Sequence, residues 1–168
     1  MFQEGVRPLG SVKFNMDGWQ DKVKKALEGN YVTRVGILGD KASAVEHEGV
    51  DLTNAEIGAI HELGLLAHVP ERSFLRMPLE AKLGEWIEHN LSIYRDCLKK
   101  GDMKHWFDAV GFAAEKIIDD AFMSGGFGSW PRLAPSTVAM KGGRRDILMD
   151  TGQLRASITS AVYERALK

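Results

Sequence analysis

One pair of residues in the sequence begins a zinc-binding pattern. His61 and Glu62 start like the H-E-x-x-H signature of zinc hydrolases, in which two histidines one helical turn apart bind the metal. Leu65 stands where the second histidine would be, so the signature is incomplete. A second histidine-bearing group, Glu-His-Glu at residues 46–48, is better interpreted as a solvated loop. A small metal-dependent hydrolase that uses His47 and His61 is kept as an alternative of another class.

Other reactive residue types give little support for catalysis. Cys97 is the only cysteine, and its place in an apolar stripe disfavours the thiolate that a nucleophile needs. Asp119 and Asp120 are sequence neighbours that point in different directions on a helix, so they do not form an acid-base pair. His89 and His105 have no acidic partner in register. We therefore expect no catalytic residue, no metal and no cofactor, and a protein that is not an enzyme.

Basic residues are concentrated near the carboxy-terminal end of the sequence. A group of this size can contact phosphate at a few points, with a salt-dependent affinity. This pattern leaves a DNA-binding accessory protein open, although a solvated or subunit-contacting face is favoured. The residues concerned are Arg132, Lys141, Arg144, Arg145 and Arg155.

Length and charge restrict the class of protein. The 168 residues are enough for one core, and we expect a single α+β domain over residues 1–168. The formal net charge of −1 gives no strong global attraction to nucleic acid or to an anionic membrane. No secretory signal is visible at the start, and no apolar stretch approaches the roughly 20 residues that a membrane span needs, so we expect no membrane contact.

The first part of the chain predicts a β-α-β start over residues 1–40. Residues 11–15 alternate polar and apolar side chains, Asp17 can cap a short helix, and residues 31–38 are rich in β-branched residues. Further along, Thr53 and Glu56 have the spacing of a capping box, which predicts the start of a short helix.

The central part of the sequence predicts two long amphipathic helices within residues 78–123. Pro78 suits a first helical position, and apolar residues then recur at spacings of three and four up to Leu98. Gly101 ends this helix, Asp102 caps the next, and the same period continues to Phe122. Because the link is so short, we expect a long antiparallel helical hairpin, packed against a small β-sheet.

The final part, residues 124–168, predicts extended loop arms and a closing strand. Residues 125–131 are rich in glycine, and their composition alone favours a flexible surface loop. Trp130 argues against a plain linker, because a large aromatic side chain on a mobile arm needs somewhere to be buried. Residues 158–163 have the composition of a strand.

Two segments resemble signatures of a known family. Residues 53–64 read TNAEIGAIHELG and residues 69–76 read VPERSFLR, which look like the family patterns "NAEIG..HEFG" and "IP.RSFLR". Residues 128–137 read GSWPRLAPST and residues 150–158 read DTGQLRASI, which are similar to "W..LSP.T...K.G....L.DTG.L..SI". The family comprises the tail-completion or virion-morphogenesis proteins of tailed bacteriophages, of the kind found in Mu-like and P2-like phages.

This resemblance implies a structural virion protein at the head-tail neck or upper tail, which acts in tail completion and head-tail joining. A tail terminator or a head-side stopper is the alternative within the same class. The implied partners are copies of the chain in a hexameric ring, neck or connector and tail-tube proteins, and phage DNA that passes through without sequence recognition. The implied location is the virion, with the host cytoplasm during assembly.

The motif residues give two sets of expected contacts. The first set, for subunit or partner contacts, lies in the final third: Trp130, Leu133, Thr151, Leu154 and Arg155. The second set, for another surface, is Arg72, Phe74 and Arg76. Arg72 and Arg76 can equally brace the helical hairpin, and this alternative stays open.

Overall fold

In a computed structural model of the chain, the described residues are 31–44 and 51–164, together with residues 18, 21, 23, 24 and 29. The strand expected over residues 11–15 and most of the helix expected after it lie outside this set. The same holds for His47.

The described sheet consists of two antiparallel strands from opposite ends of the sequence. β1 spans Tyr31–Ile37 and β2 spans Ile158–Glu164. The register pairs Tyr31 with Glu164 and Ile37 with Ile158. Exposure alternates along most of β1, as expected for a strand with one face buried. The strands predicted over residues 31–38 and 158–163 are therefore confirmed.

Two helices follow β1. α1 is a single turn, Asp40–Ser43, and α2 spans Asn54–Leu63. The predicted capping box is confirmed: Thr53 Oγ1 accepts from the Glu56 amide at 3.2 Å, and the Glu56 carboxylate accepts from the Thr53 amide at 2.8 Å. The hydrogen bonds that the Glu56 carboxylate accepts from the Thr53 amide and from the Thr53 hydroxyl lower the pKa of Glu56. Gly64 ends α2 in the left-handed conformation.

Three helices, and not the expected pair, occupy the central segment. α3 spans Arg76–His89, α4 spans Leu91–Lys100 and α5 spans Met103–Ser124. The predicted first helix is thus interrupted at Asn90, whose side-chain Nδ2 donates to the Trp86 carbonyl at 2.8 Å. A short amide side chain that bonds to nearby backbone competes with the helical ladder, which explains why the periodic stripe did not continue as one helix.

α3 also begins earlier than the sequence predicted. Pro78 was expected at the first helical position, but the helix begins at Arg76 and Pro78 lies buried within its first turn. Proline is tolerated there because the amides of the first turn have no partner within the helix.

α5 is the central element of the fold, because it packs against both strands and against α3 and α4. Thr33 Oγ1 in β1 donates to the Phe107 carbonyl at 2.8 Å, and the Glu115 carboxylate accepts from the Ser160 amide in β2. Helices and a small antiparallel sheet thus pack against each other, which makes the fold α+β. No helix in the described part of the chain combines the length and apolar character needed to cross a bilayer.

The last third contains two short helices between loops. α6 spans Pro135–Met140 and α7 spans Gln153–Ala156, directly before β2. Lys41 Nζ in α1 donates to the Ala156 carbonyl at 2.9 Å, which joins α7 to the region that follows β1.

In the described part of the chain, buried side chains form two clusters. The first, here called the Trp130 cluster, comprises Phe74, Ile118, Ala121, Phe122, Trp130 and Leu154. The second, here called the Trp106 cluster, comprises Cys97, Met103 and Trp106, with Trp86 and Tyr94 packed against them. The indole of Trp106 stacks on Trp86 at 5.9 Å between ring centroids and meets Tyr94 edge-on at 5.5 Å.

Candidate functional site

A wide groove lies between the two motif segments. It has a volume of about 950 Å³ and lies between α2 with its following loop on one side and residues 132–154 on the other. Its lining is mainly aliphatic, with a few charged groups. The aliphatic side chains that line it are Leu52, Ile57, Ile60, Leu66, Val69, Leu133, Met140, Leu148, Met149 and Leu154.

One wall of the groove is held in place by Glu62, the last polar residue of α2. Its carboxylate accepts from Ser73 Oγ at 2.7 Å and from the backbone amides of Phe74, Leu75 and Arg76 at 2.7, 2.9 and 3.0 Å. These amides open α3, where a helix has donors without partners and a favourable dipole for negative charge. Glu62 therefore caps α3 and fixes the loop between α2 and α3.

The opposite wall is attached to that loop by Arg72 and Trp130. Arg72 is 6% exposed, and its guanidinium donates to the carbonyls of Pro131 and Arg132 at 3.1 and 3.4 Å. Burial lowers the pKa of Arg72. Trp130 Nε1 donates to the Ser73 carbonyl at 3.1 Å. Residues 72–74 and 130–132 thus run side by side, which brings the two motif segments together.

Trp130 is a core residue of its own subunit, whereas the sequence predicted that it contacts a partner. It is 7% exposed and meets Phe122 edge-on at 5.7 Å between ring centroids. Gly126 permits this position, since a Cβ at that residue would collide with the indole ring. The glycine-rich segment is therefore a tight turn that returns the tryptophan to the core, and not the flexible surface loop that its composition suggested.

The far end of the groove is shaped by a loop organised around Lys141. Lys141 Nζ donates to the carbonyls of Asp146 and Met149, each at 2.7 Å. Arg144 closes the same loop by an ion pair with Asp150 at 3.1 Å. These contacts hold Met149 and Asp150 against the groove.

The eight residues expected to make contacts divide into several environments. Arg72, Leu133, Thr151 and Leu154 line the groove together, although Arg72 and Leu154 are themselves buried. Phe74 is fully buried beside Phe122 and, like Trp130, belongs to the core and not to a surface. The sequence, in contrast, predicted Phe74 on a second surface.

Arg76 and Arg155 lie away from the groove. Arg76 is exposed and pairs with Glu71 and Glu80, so it braces the start of α3. Arg155 pairs with Asp119 on α5, and both line a smaller cavity of about 240 Å³. Hydrogen bonding to Arg155 lowers the pKa of Asp119, and the same contact raises the pKa of Arg155. The carboxy-terminal basic residues therefore do not form a single patch.

The residues considered for catalysis are placed apart from one another. His61 lines the groove, but the neighbouring Glu62 is turned towards α3. His89 Nδ1 lies 2.7 Å from the Glu85 carbonyl, and burial raises the pKa of the Cys97 thiol. Within the described ranges, no group of three or more His, Cys, Asp or Glu residues is arranged to hold a metal ion.

Two functional features were not found by sequence reasoning. Glu62 was considered only as part of a zinc signature, and its capping role depends on a loop that returns 11 to 14 residues later. Met140 was not singled out, yet it lines the groove and is 80% exposed. Its signal was available in the sequence, as a large apolar residue at the end of a short helix, directly before Lys141 and two glycines.

Comparison of the chain with protein-family models, with curated proteins and with solved structures finds no match.

Proposed function

We propose that this chain is a non-catalytic structural subunit of a tailed-bacteriophage virion, which acts at the head-tail neck or upper tail in tail completion and head-tail joining. The observation that carries the proposal is the contact between the two segments that resemble family signatures. Residues 61–76 and 128–154, far apart in sequence, contact each other and line one groove. If two segments form one surface with a single function, both are expected to match signatures of the same family.

The form of the groove supports an assembly role better than a catalytic one. Its walls are mainly aliphatic, and the acidic group nearest to His61 in sequence is used to cap α3. An open apolar groove with charged margins is typical of surfaces that receive another polypeptide.

In this proposal the subunits form a hexameric ring, with one surface of each copy against a different surface of the next. The three helices α3 to α5 serve as scaffold. Neck or connector and tail-tube proteins are the further partners, and DNA passes through without sequence recognition. The protein would reside in the virion after assembly in the host cytoplasm. A tail terminator or head-side stopper is the alternative position.

The test is deletion of the gene from the phage or prophage that encodes it. We expect filled heads and separate tails in place of joined particles, seen by negative-stain electron microscopy. Supply of the wild-type chain from a plasmid should restore joined particles. Particles of normal number and shape without the chain would contradict the proposal.

Immunogold labelling locates the protein independently of any defect. Antibodies against the purified chain should label the neck or upper tail of intact virions. Label confined to infected-cell lysate and absent from purified virions would contradict a structural role. Label at the upper end of separate tails would favour the terminator, whereas label on filled heads would favour the stopper.

A further inference from the structure

The charged groups of the groove are unbalanced. Three cations line it, namely Arg72, Arg132 and Lys141, and among the described residues the only acidic side chain in the lining is Asp150. Asp150 already pairs with Arg144. Arg72 and Lys141 donate to backbone carbonyls and not to carboxylates. Within the part of the chain that the structure describes, none of the three cations has an ion-pair partner, so the groove carries uncompensated positive charge.

The apolar part of the groove is exposed in the subunit. Met140 is 80% exposed and Leu66 is 45% exposed, and both lie in the lining. Exposed aliphatic side chains beside unpaired cations favour an occupant that has both an apolar face and negative charge. Such an occupant would remove aliphatic surface from water and supply the missing carboxylates.

The elements around the groove indicate the conformation of the occupant. The lining comes from α2, α6, α7 and the loops between them, and neither β1 nor β2 contributes to it. Among the described residues, no strand edge lines the groove, so none is offered there to a peptide that would bind by extending a sheet. A helix satisfies its own backbone hydrogen bonds and needs only side-chain contacts, which is what these walls offer.

We propose that this groove binds an acidic amphipathic helix of a partner protein, with its apolar stripe against Met140, Leu133 and Leu66 and its carboxylates towards Arg132 and Lys141. The groove is then a contact surface for the assembly role. The identification of the partner as a virion protein rests on that proposed function. Single-stranded nucleic acid fits less well, because the described lining contains no phenylalanine, tyrosine or tryptophan on which a base would stack.

The test is a selection from a displayed library of random peptides of about four helical turns against the immobilised full chain. We expect enriched peptides to have apolar residues at positions i, i+3 or i+4, and i+7, flanked by Asp or Glu. Synthetic copies should bind at least about tenfold more tightly than versions with Lys in place of each acid. Enrichment of neutral or basic peptides, or none above background, would overturn the proposal.

Two matched pairs of variants locate the binding. Met140→Asp should weaken peptide binding by about tenfold or more, whereas Met123→Asp should not, since Met123 is also exposed but lies on α5 outside the groove. Arg132→Glu should have a similar effect and Arg145→Glu should not, since Arg145 is exposed and does not line the groove. Circular dichroism should show all four folded. Equal binding by both members of each pair would overturn the assignment.

Two further outcomes would assign the groove differently. Duplex DNA that binds more tightly than the selected peptides, and loses affinity with Arg132→Glu alone, would replace the protein partner by nucleic acid. Self-association of the free chain that Met140→Asp abolishes would make a second copy the occupant. These results are separable from the proposed function, because immunogold labelling of the virion does not depend on the groove.

Discussion

The Trp106 cluster and the Trp130 cluster are both aromatic, but they are assembled differently. The Trp106 cluster draws nearly all its residues from three consecutive helices, α3 to α5, with Tyr31 as the contribution from β1. The Trp130 cluster joins the loop before α3, the end of α5, the glycine-rich turn and α7. The first is therefore closed by neighbours in sequence, whereas the second exists only when distant segments meet. The same second cluster positions both walls of the groove.

Trp130→Ala is expected to have the largest effect. Removal of a buried indole leaves a cavity and an unpaired Ser73 carbonyl, and should lower the free energy of unfolding by about 3 to 5 kcal/mol in urea denaturation. Hydrogen exchange should rise across residues 125–154. Phe127→Ala is the control, because Phe127 lies in the same glycine-rich turn but is 40% exposed. Equal stability of the two variants would restore the interpretation of Trp130 as a partner contact.

Trp106→Ala tests the local cluster. Trp106 is buried against Trp86 and Tyr94, so we expect a loss of about 3 to 4 kcal/mol. Hydrogen exchange should rise in α4 and at the start of α5, while residues 125–154 keep their protection. His105→Ala, on the exposed side of the same turn, should change stability by less than about 0.5 kcal/mol. A rise in exchange across both clusters would show that they unfold as one unit.

Glu62→Gln tests the restraint that holds the loop between α2 and α3, which forms one wall of the groove. The amide retains one acceptor oxygen but loses the charge, and its NH₂ faces backbone donors, so the free energy of unfolding should fall by about 1.5 to 3 kcal/mol. Glu85→Gln, an exposed position on α3, is the control. If the two variants are equally stable, the cap on α3 is not a significant restraint.

Arg155→Met should have the smallest effect, with a defined pH dependence. The folded pKa of Asp119 lies below its usual value of 3.8, so the ion pair stabilises the fold above that pH, and the contribution disappears as pH falls through the lower folded pKa. Because both groups are about one-third exposed, the loss at neutral pH should be no more than about 1 kcal/mol.

The measurement for Arg155→Met is the free energy of unfolding at pH about 6 and again at pH about 2. The difference from wild type should shrink towards zero at the acidic value. Arg95→Met, an exposed arginine on α4, should show no such trend. A difference that is constant over the whole range would mean that Arg155 acts through packing and not through Asp119.

The sequence predicted those parts of the fold that depend on near neighbours. β1, β2, the capping box at Thr53 and the periodic stripe of α5 were all readable from residues within a few positions of one another. Of the groove, Arg72, Leu133, Thr151 and Leu154 were singled out through their motifs. Their meeting in one groove was not predicted, because no local pattern encodes which segment lies against which.

By itself, the sequence determined the α+β composition, the capping of α2 and the apolar face of α5, because these follow from hydrogen bonds and side-chain spacing within single elements. Only the tertiary structure decided that Trp130 is buried and that Glu62 caps α3. Trp130 reaches a carbonyl 57 residues away, and Arg72 reaches one 59 residues away. Contacts over such separations depend on how the whole chain packs, since each requires several independent elements to be in place before the two groups meet.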